Sequence, residues 1–180
     1  MVLHEKRVDF EVHEVDLRNK SEEFLAASPT GKVPVVLVDG DPIYESNIVN
    51  QYLDEVTGEP KLMPEDPKER AYARIWMTLA DTDFFPAVFV ASVGRDRGFS
   101  EERISEAFEK LKMALERLEE QLEGRDYLAG EFSLADVAYA GNFARLRELE
   151  KSGGVSLEEY PNVAAWVERL EARESYKASS

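Results

Sequence analysis

Two short stretches carry residues able to do chemistry: Gly31-Lys32-Val33-Pro34-Val35-Val36 and, further on, Tyr44-Glu45-Ser46-Asn47. Lys32 is the only basic residue between Lys20 and Lys61. A lone cation in so acidic a stretch fits a specific contact with an anion, against the default of a solvated surface lysine. Ser46 precedes an apolar-periodic segment, the usual place of a helix N-cap. A helix N-terminus offers N–H groups and the positive end of the dipole, which suits a carboxylate. Capping and ligand binding are compatible at one serine. Pro34 opens a hydrophobic strand, where proline cannot donate to the ladder. From the residues alone, its peptide bond reads as cis or as trans.

The elements that must position these residues follow from pattern. Val8, Phe10 and Val12 alternate with Asp9, Glu11 and His13, the period of a half-buried strand. Residues 20–27 read as a short helix bearing Phe24 and Leu25, stopped by Pro29 and Gly31. Residues 33–38 are a nearly unbroken β-branched run, which predicts a strand buried on both faces. Asp39-Gly40 predicts a hairpin returning through residues 42–45. The helix from Ser46 carries Ile48, Val49, Tyr52 and Leu53 on one face and ends at Gly58. Residues 59–67, with three prolines, read as a linker.

Everything beyond the linker reads as helical. Residues 69–91 form one long candidate that Pro86 should kink. Ser100 caps a helix whose Ile104, Phe108, Leu111, Leu115, Leu118 and Leu122 repeat at helical spacing, a core stripe rather than a coiled-coil seam. Ser133-Leu134-Ala135-Asp136 is a variant capping box, so Ser133 and Asp136 are structural, not catalytic. Tyr160-Pro161-Asn162 precedes a last helix with Val163, Trp166, Val167 and Leu170 inward. The plan is a small α/β module followed by an all-helical one.

Composition narrows the function. The chain has 180 residues, with 22 Lys plus Arg against 37 Asp plus Glu and a net charge of -15. That balance argues against direct nucleic-acid binding and against anionic membranes. The first third is the more acidic part. There is no cysteine, hence no disulfide, thiolate metal site or cysteine nucleophile in these residues. His4 and His13 are too isolated to argue for a metal site. The longest apolar run, residues 84–91, is broken by Pro86 and is far too short to span a membrane. The first residues lack a signal-peptide core, which predicts a cytoplasmic protein.

The order and spacing of these motifs resemble the cytosolic glutathione transferase superfamily along the whole chain. The resemblance rests on the turn before Lys32, Glu45-Ser46, Leu62-Met63-Pro64, the cap at Ser133, and Tyr160-Pro161-Asn162-Val163. It implies a thioredoxin-like N-terminal domain over residues 1–58, lacking its first strand, and an all-α C-terminal domain over 68–180. It implies a glutathione site as well. Lys32 would meet the glycine carboxylate, and a cis Pro34 would turn the Val33 backbone toward the cysteinyl unit like an added strand. Ser46 would hold the γ-glutamyl α-carboxylate, and Glu45 its α-amino group. Tyr72 and Trp76, with Phe84 and Phe85, lie on the long kinked helix that in the family faces the electrophile. Core packing explains each of these aromatics equally well. The implied activity is conjugation of glutathione, as co-substrate and without a metal, to small apolar electrophiles by a cytoplasmic homodimer.

The family's catalytic Tyr, Ser or Cys lies at the end of the first strand or the start of the first helix. Residues 1–7 match the last turns of that helix, so no residue here takes the role, Tyr44 included. The expectation is a reading frame starting about 15–20 residues upstream, one strand plus two helical turns. The alternative is a sheet completed by a partner's strand. The absence of cysteine disfavours the thiol-transferase and dehydroascorbate-reducing branches. A rival reading is a non-catalytic interaction protein: residues 44–54 and Leu62-Met63-Pro64 are also similar to the RNA polymerase-associated stringent starvation protein family.

Overall fold

A computed structural model describes residues 1–179. It divides into two compact units, residues 1–61 and the chain from Leu62 onward.

The first unit opens with a single-turn helix α1 (Val2–Glu5). Helix α2 (Glu22–Ala27) is capped by Ser21, whose side chain accepts from the Phe24 N–H at 3.1 Å. Strands β1 (Val35–Val38) and β2 (Asp41–Tyr44) pair antiparallel, with Val35 opposite Tyr44 and Val38 opposite Asp41. Asp39 and Gly40 form the two-residue turn, both at positive φ (52° and 93°), the geometry that matches strand twist. Helix α3 (Ser46–Val56) follows at once and buries Val49, Leu53 and Asp54.

Two expectations fail in this unit. Residues 8–12 form no strand; Phe10 is 42% and Val12 72% exposed. Alternation marks a segment able to form a ladder, and no strand neighbours it among the described residues, so its pattern goes unused. Residues 35–38 do form a strand, but it is not buried on both faces: Leu37 is 61% exposed, since the described sheet has only β1 and β2.

The apolar core of this unit is small, comprising Val2, Phe24, Val49 and Leu53. A buried ion pair supplements it. Lys6 Nζ sits 2.8 Å from Asp54 and donates to the carbonyls of Gly58 and Pro60, both at 2.7 Å. All three ammonium donors are thereby used, the condition under which a buried lysine is tolerated. The contact ties the end of α1 to the end of α3 and the loop beyond it.

The second unit is helical. It comprises α4 (Pro67–Leu79), a π-helical turn at Ala80–Phe84, α5 (Phe85–Val93), α6 (Glu101–Gln121), α7 (Leu134–Ala140), α8 (Phe143–Lys151), α9 (Pro161–Glu171) and α10 (Glu174–Lys177). Pro86 does not simply kink one helix. It cannot donate to the carbonyl of Thr82, and the chain widens into the π turn just before it, with the Phe85 N–H reaching the Ala80 carbonyl. Ser100 caps α6 as expected, accepting from the Arg103 N–H at 3.3 Å. Ile104, Leu111, Leu115, Leu118 and Leu122 are buried along it.

The capping box at α7 is formed, and it does more than cap. One carboxylate oxygen of Asp136 accepts from the backbone N–H (2.9 Å) and hydroxyl (3.2 Å) of Ser133. The other accepts from the Leu128 N–H (3.0 Å) and the Trp166 indole N–H (2.9 Å). Asp136 thus joins the loop before α7, α7 itself and α9. Burial raises its pKa, opposed by these four donors.

Candidate functional site

The hairpin register decides where the predicted residues meet. Val35 and Tyr44 are the outermost pair of the ladder. The next residues outward, Pro34 and Val33 on one side and Glu45 and Ser46 on the other, therefore leave from the same end of the sheet. Directly opposed Cα atoms in such a pair lie about 4.5–5.5 Å apart. Val33 and Ser46 each lie two residues outward from that outermost pair, and Lys32 lies one residue beyond Val33.

The Val33–Pro34 peptide bond is cis, as is Glu59–Pro60. Val33 is 49% exposed, and its backbone N–H and C=O make no hydrogen bond among the described residues. A free donor and acceptor on one exposed residue is what an added extended segment pairs with.

Lys32 is held from behind by Ser28, a residue just before the Pro29 and Gly31 stop signals. The buried Ser28 hydroxyl donates to the Lys32 carbonyl at 2.8 Å and accepts from the Lys32 N–H at 3.1 Å. The Lys32 side chain is exposed and makes no ion pair among the described residues. Gly31 sits at φ +63°, a region that strains other residues, and an added Cβ would lie 3.1 Å from Lys20 Nζ. The turn therefore points a fixed backbone and an unpaired cation outward.

The helix cap differs from expectation. Glu45, not Ser46, is the N-cap of α3, and its side chain makes no cap hydrogen bond. Glu45 adopts φ +68°, unusual for a residue with a Cβ, and its carbonyl accepts from the N–H groups of Ile48 and Val49 at 2.9 Å. Such outliers cluster at ligand sites. The shift moves Ser46 into the first turn and leaves its hydroxyl without a partner among the described residues. Glu45 and Ser46 are both exposed. This end of the sheet can offer a cation, a carboxylate, a hydroxyl, a helix N-terminus and a free backbone pair to one zwitterionic peptide-like ligand.

Of the aromatics in the second unit, Trp76 is buried at 8% exposure and Tyr72 is 49% exposed, one turn apart on α4. Lys68 Nζ lies 6.0 Å from the Tyr72 ring. Asp83, in the π turn, pairs with Arg117 at 3.0 Å. The Thr82 hydroxyl and then Arg117 hold its carboxyl below the usual range. Among the described residues no group of three His, Cys, Asp or Glu side chains is placed to hold a metal, and no helix is long and apolar enough to cross a membrane.

A two-stranded hairpin feeding a helix, followed by a helical bundle with a buried capping box, defines a class. Residues 1–56 match the glutathione S-transferase N-terminal domain family, and residues 77–174 match the C-terminal domain family. The chain belongs to the cytosolic glutathione transferase superfamily, with a thioredoxin-like first domain, here showing a two-stranded sheet, and a helical second one. It is 38% identical to glutathione S-transferase U28 of Arabidopsis thaliana, across 99% of this chain and 80% of that protein. It is 36% identical to the probable glutathione S-transferase parC of Nicotiana tabacum, across 99% and 81%. Among solved structures, rice GST1 in complex with glutathione superposes with a TM-score of 0.85 at 31% identity, covering 98% of this chain and 81% of that one. A Methylobacillus flagellatus glutathione S-transferase with glutathione bound gives 0.84 at 31%, covering 99% and 90%.

Proposed function

We propose that the protein binds glutathione at the open end of the β1–β2 hairpin and conjugates it to small apolar electrophiles. The observation that carries this is the register that brings Val33 and Ser46 to one end of the sheet, both with unused hydrogen-bonding groups. Lys32 takes the glycine carboxylate, the Val33 backbone takes the cysteinyl unit, Ser46 and the start of α3 take the γ-glutamyl carboxylate, and Glu45 takes the α-amino group. None of the four is assigned to the sulfur. Pro34, Ser133 and Asp136 act through the fold. In this reading residues 1–58 form the glutathione domain, 59–67 join it to the next, and 68–180 receive the electrophile. Tyr72 offers it an aromatic face, with Trp76 beneath on the same side of α4. The thiolate sulfur of glutathione bonds to the electrophilic carbon, which either expels its leaving group with the bonding electrons or, in an addition to an activated double bond, passes the π electrons to the neighbouring atom, which takes up a proton. The names of the relatives, and the glutathione in two solved neighbours, support this reading.

We take the protein to act in the cytoplasm as a homodimer. Light scattering of the eluting protein should give twice 20.4 kDa; a monomer mass removes that part. The function itself is tested by retention on immobilised glutathione together with turnover of a chromogenic aryl halide. No binding at millimolar glutathione overturns the reading.

A further inference from the structure

The turn between α5 and α6 carries a string that the glutathione reading leaves unused, Arg95-Asp96-Arg97-Gly98-Phe99-Ser100. Ser100 has one arginine five residues before it and another three residues before it. No other serine or threonine of the chain has both. Ser21 has Arg18 at the nearer position but Asp16 at the farther, and Ser152 has Arg147 at the farther but Leu149 at the nearer. Chance clusters of basic residues are disfavoured in a chain with 22 of them against 37 acidic ones. A guanidinium is forked, always charged and matched to carboxylates. A protein kinase whose peptide groove is lined with carboxylates selects a serine by this pattern of charge.

The fold presents the string to solvent. Arg95, Arg97 and Ser100 are all exposed. Arg97 stacks on the Phe89 ring, 5.0 Å from its centroid, and has no carboxylate partner among the described residues. Arg95 reaches only Glu101, at 4.0 Å and with both side chains largely exposed, a contact that holds it weakly. Both cations are therefore available to a second protein. The backbone is equally uncommitted. Three local bonds hold the turn, from the N–H groups of Arg97, Gly98 and Phe99 to the carbonyls of Val93, Arg95 and Gly94, at 3.0, 3.0 and 2.8 Å. Releasing them extends the string and leaves the buried stripe of α6, which begins at Ile104, in place. Ser100 already has extended dihedrals, φ -62° and ψ 147°. Its hydroxyl accepts from the Arg103 N–H at 3.3 Å and donates to nothing among the described residues. A phosphoryl oxygen can take over that acceptor role, so the modified residue still caps its helix.

We propose that Ser100 is a phosphorylation site for an arginine-directed protein kinase, with Arg95 and Arg97 as the charges that the kinase reads. The Ser100 oxygen attacks the γ-phosphorus of magnesium-bound ATP, and the bond from that phosphorus to the bridging oxygen breaks. ADP leaves with the bonding electrons, and the hydroxyl proton passes to the kinase's catalytic carboxylate. The glutathione residues all lie before Leu62, so the site is independent of them. The test treats the folded full chain with ATP and a serine kinase selective for arginine five and three residues before its target, and maps the product by peptide mass spectrometry. One added phosphate on Ser100 is expected, and none at that position in Ser100→Ala. The R95A/R97A double variant should lower kcat/KM at least about tenfold. Both substituted side chains sit at the surface, and a circular dichroism spectrum like the parent's shows that the variant folds. A kinase that selects acidic residues after the serine should leave Ser100 unmodified. Phosphate on Ser21 instead overturns the proposal, as does an equal rate in the double variant, or labelling of Ser100 only after heat has unfolded the chain.

Discussion

Lys32 concentrates the binding argument into one side chain. Its backbone is fixed by Ser28 on both sides, so truncating the side chain leaves the turn intact. Lys32→Ala should weaken glutathione binding by about 1–3 kcal/mol, the worth of a charge-assisted hydrogen bond. Calorimetric titration reads this directly, and an unchanged affinity takes Lys32 out of the site. Tyr139 gives a pH signature at the same scale. Burial first, then the carboxylates of Asp83, Asp136 and Asp81, push its phenol well above the ordinary value of 10.0. In the unfolded chain it ionises near that value, while in the folded chain it stays protonated. Stability is therefore fully present below pH 10 and lost as the pH rises beyond it. Tyr139→Phe should flatten that alkaline loss in urea melts between pH 9 and about 11; parallel curves for the two proteins would refute the assignment. Residue types disclosed much of the candidate site, since a lone lysine and a serine at a helix start are visible in a string of letters. The positive φ of Glu45 and the grip of Ser28 were not visible, because each depends on how the chain turns rather than on what it carries.

Elements show the same division between local and distant causes. The box of Ser133 and Asp136 could be read because its partners lie within one turn. Half of Asp136's bonds could not, because Leu128 and Trp166 come from outside the helix it caps. The consequence is an inequality. Ser133→Ala should cost about 1–2 kcal/mol, as a lost cap does. Asp136→Ala should cost about 3–5 kcal/mol, since it strands several buried donors at once. Chemical denaturation of both variants measures the difference, and equal losses would mean that the bonds to Trp166 and Leu128 contribute nothing. The long helix around Pro86 was legible as interrupted, but not as a π turn, because a missing donor says where the ladder breaks and not how the chain absorbs it. The alternating residues 8–12 mark the opposite failure: a strand pattern needs a neighbour before it becomes a strand.

Across the whole molecule, burial is lopsided. Among the described residues only four buried apolar ones precede Leu62, and the rest belong to the helical unit. The first unit leans instead on Lys6 and Asp54. Local opening follows buried apolar contact, so native-state hydrogen exchange should find the amides of α3 opening at lower free energy than those of α6. Uniform protection across both helices would contradict this. The same imbalance appears outside. Among the described residues, nine of the thirteen large apolar side chains that stay exposed precede Leu62, including those of Leu37, Ile48 and Val56. At neutral pH the net charge of -15 keeps such surfaces apart by repulsion. That repulsion vanishes near the isoelectric point of about 4.6. Mild acid should therefore cloud a concentrated solution while the helices are still folded, and turbidity should clear on returning to pH 7. The Leu37→Thr variant, which leaves the net charge unchanged, should stay clear to lower pH than the parent, making colloidal behaviour a property of the hairpin's uncovered face.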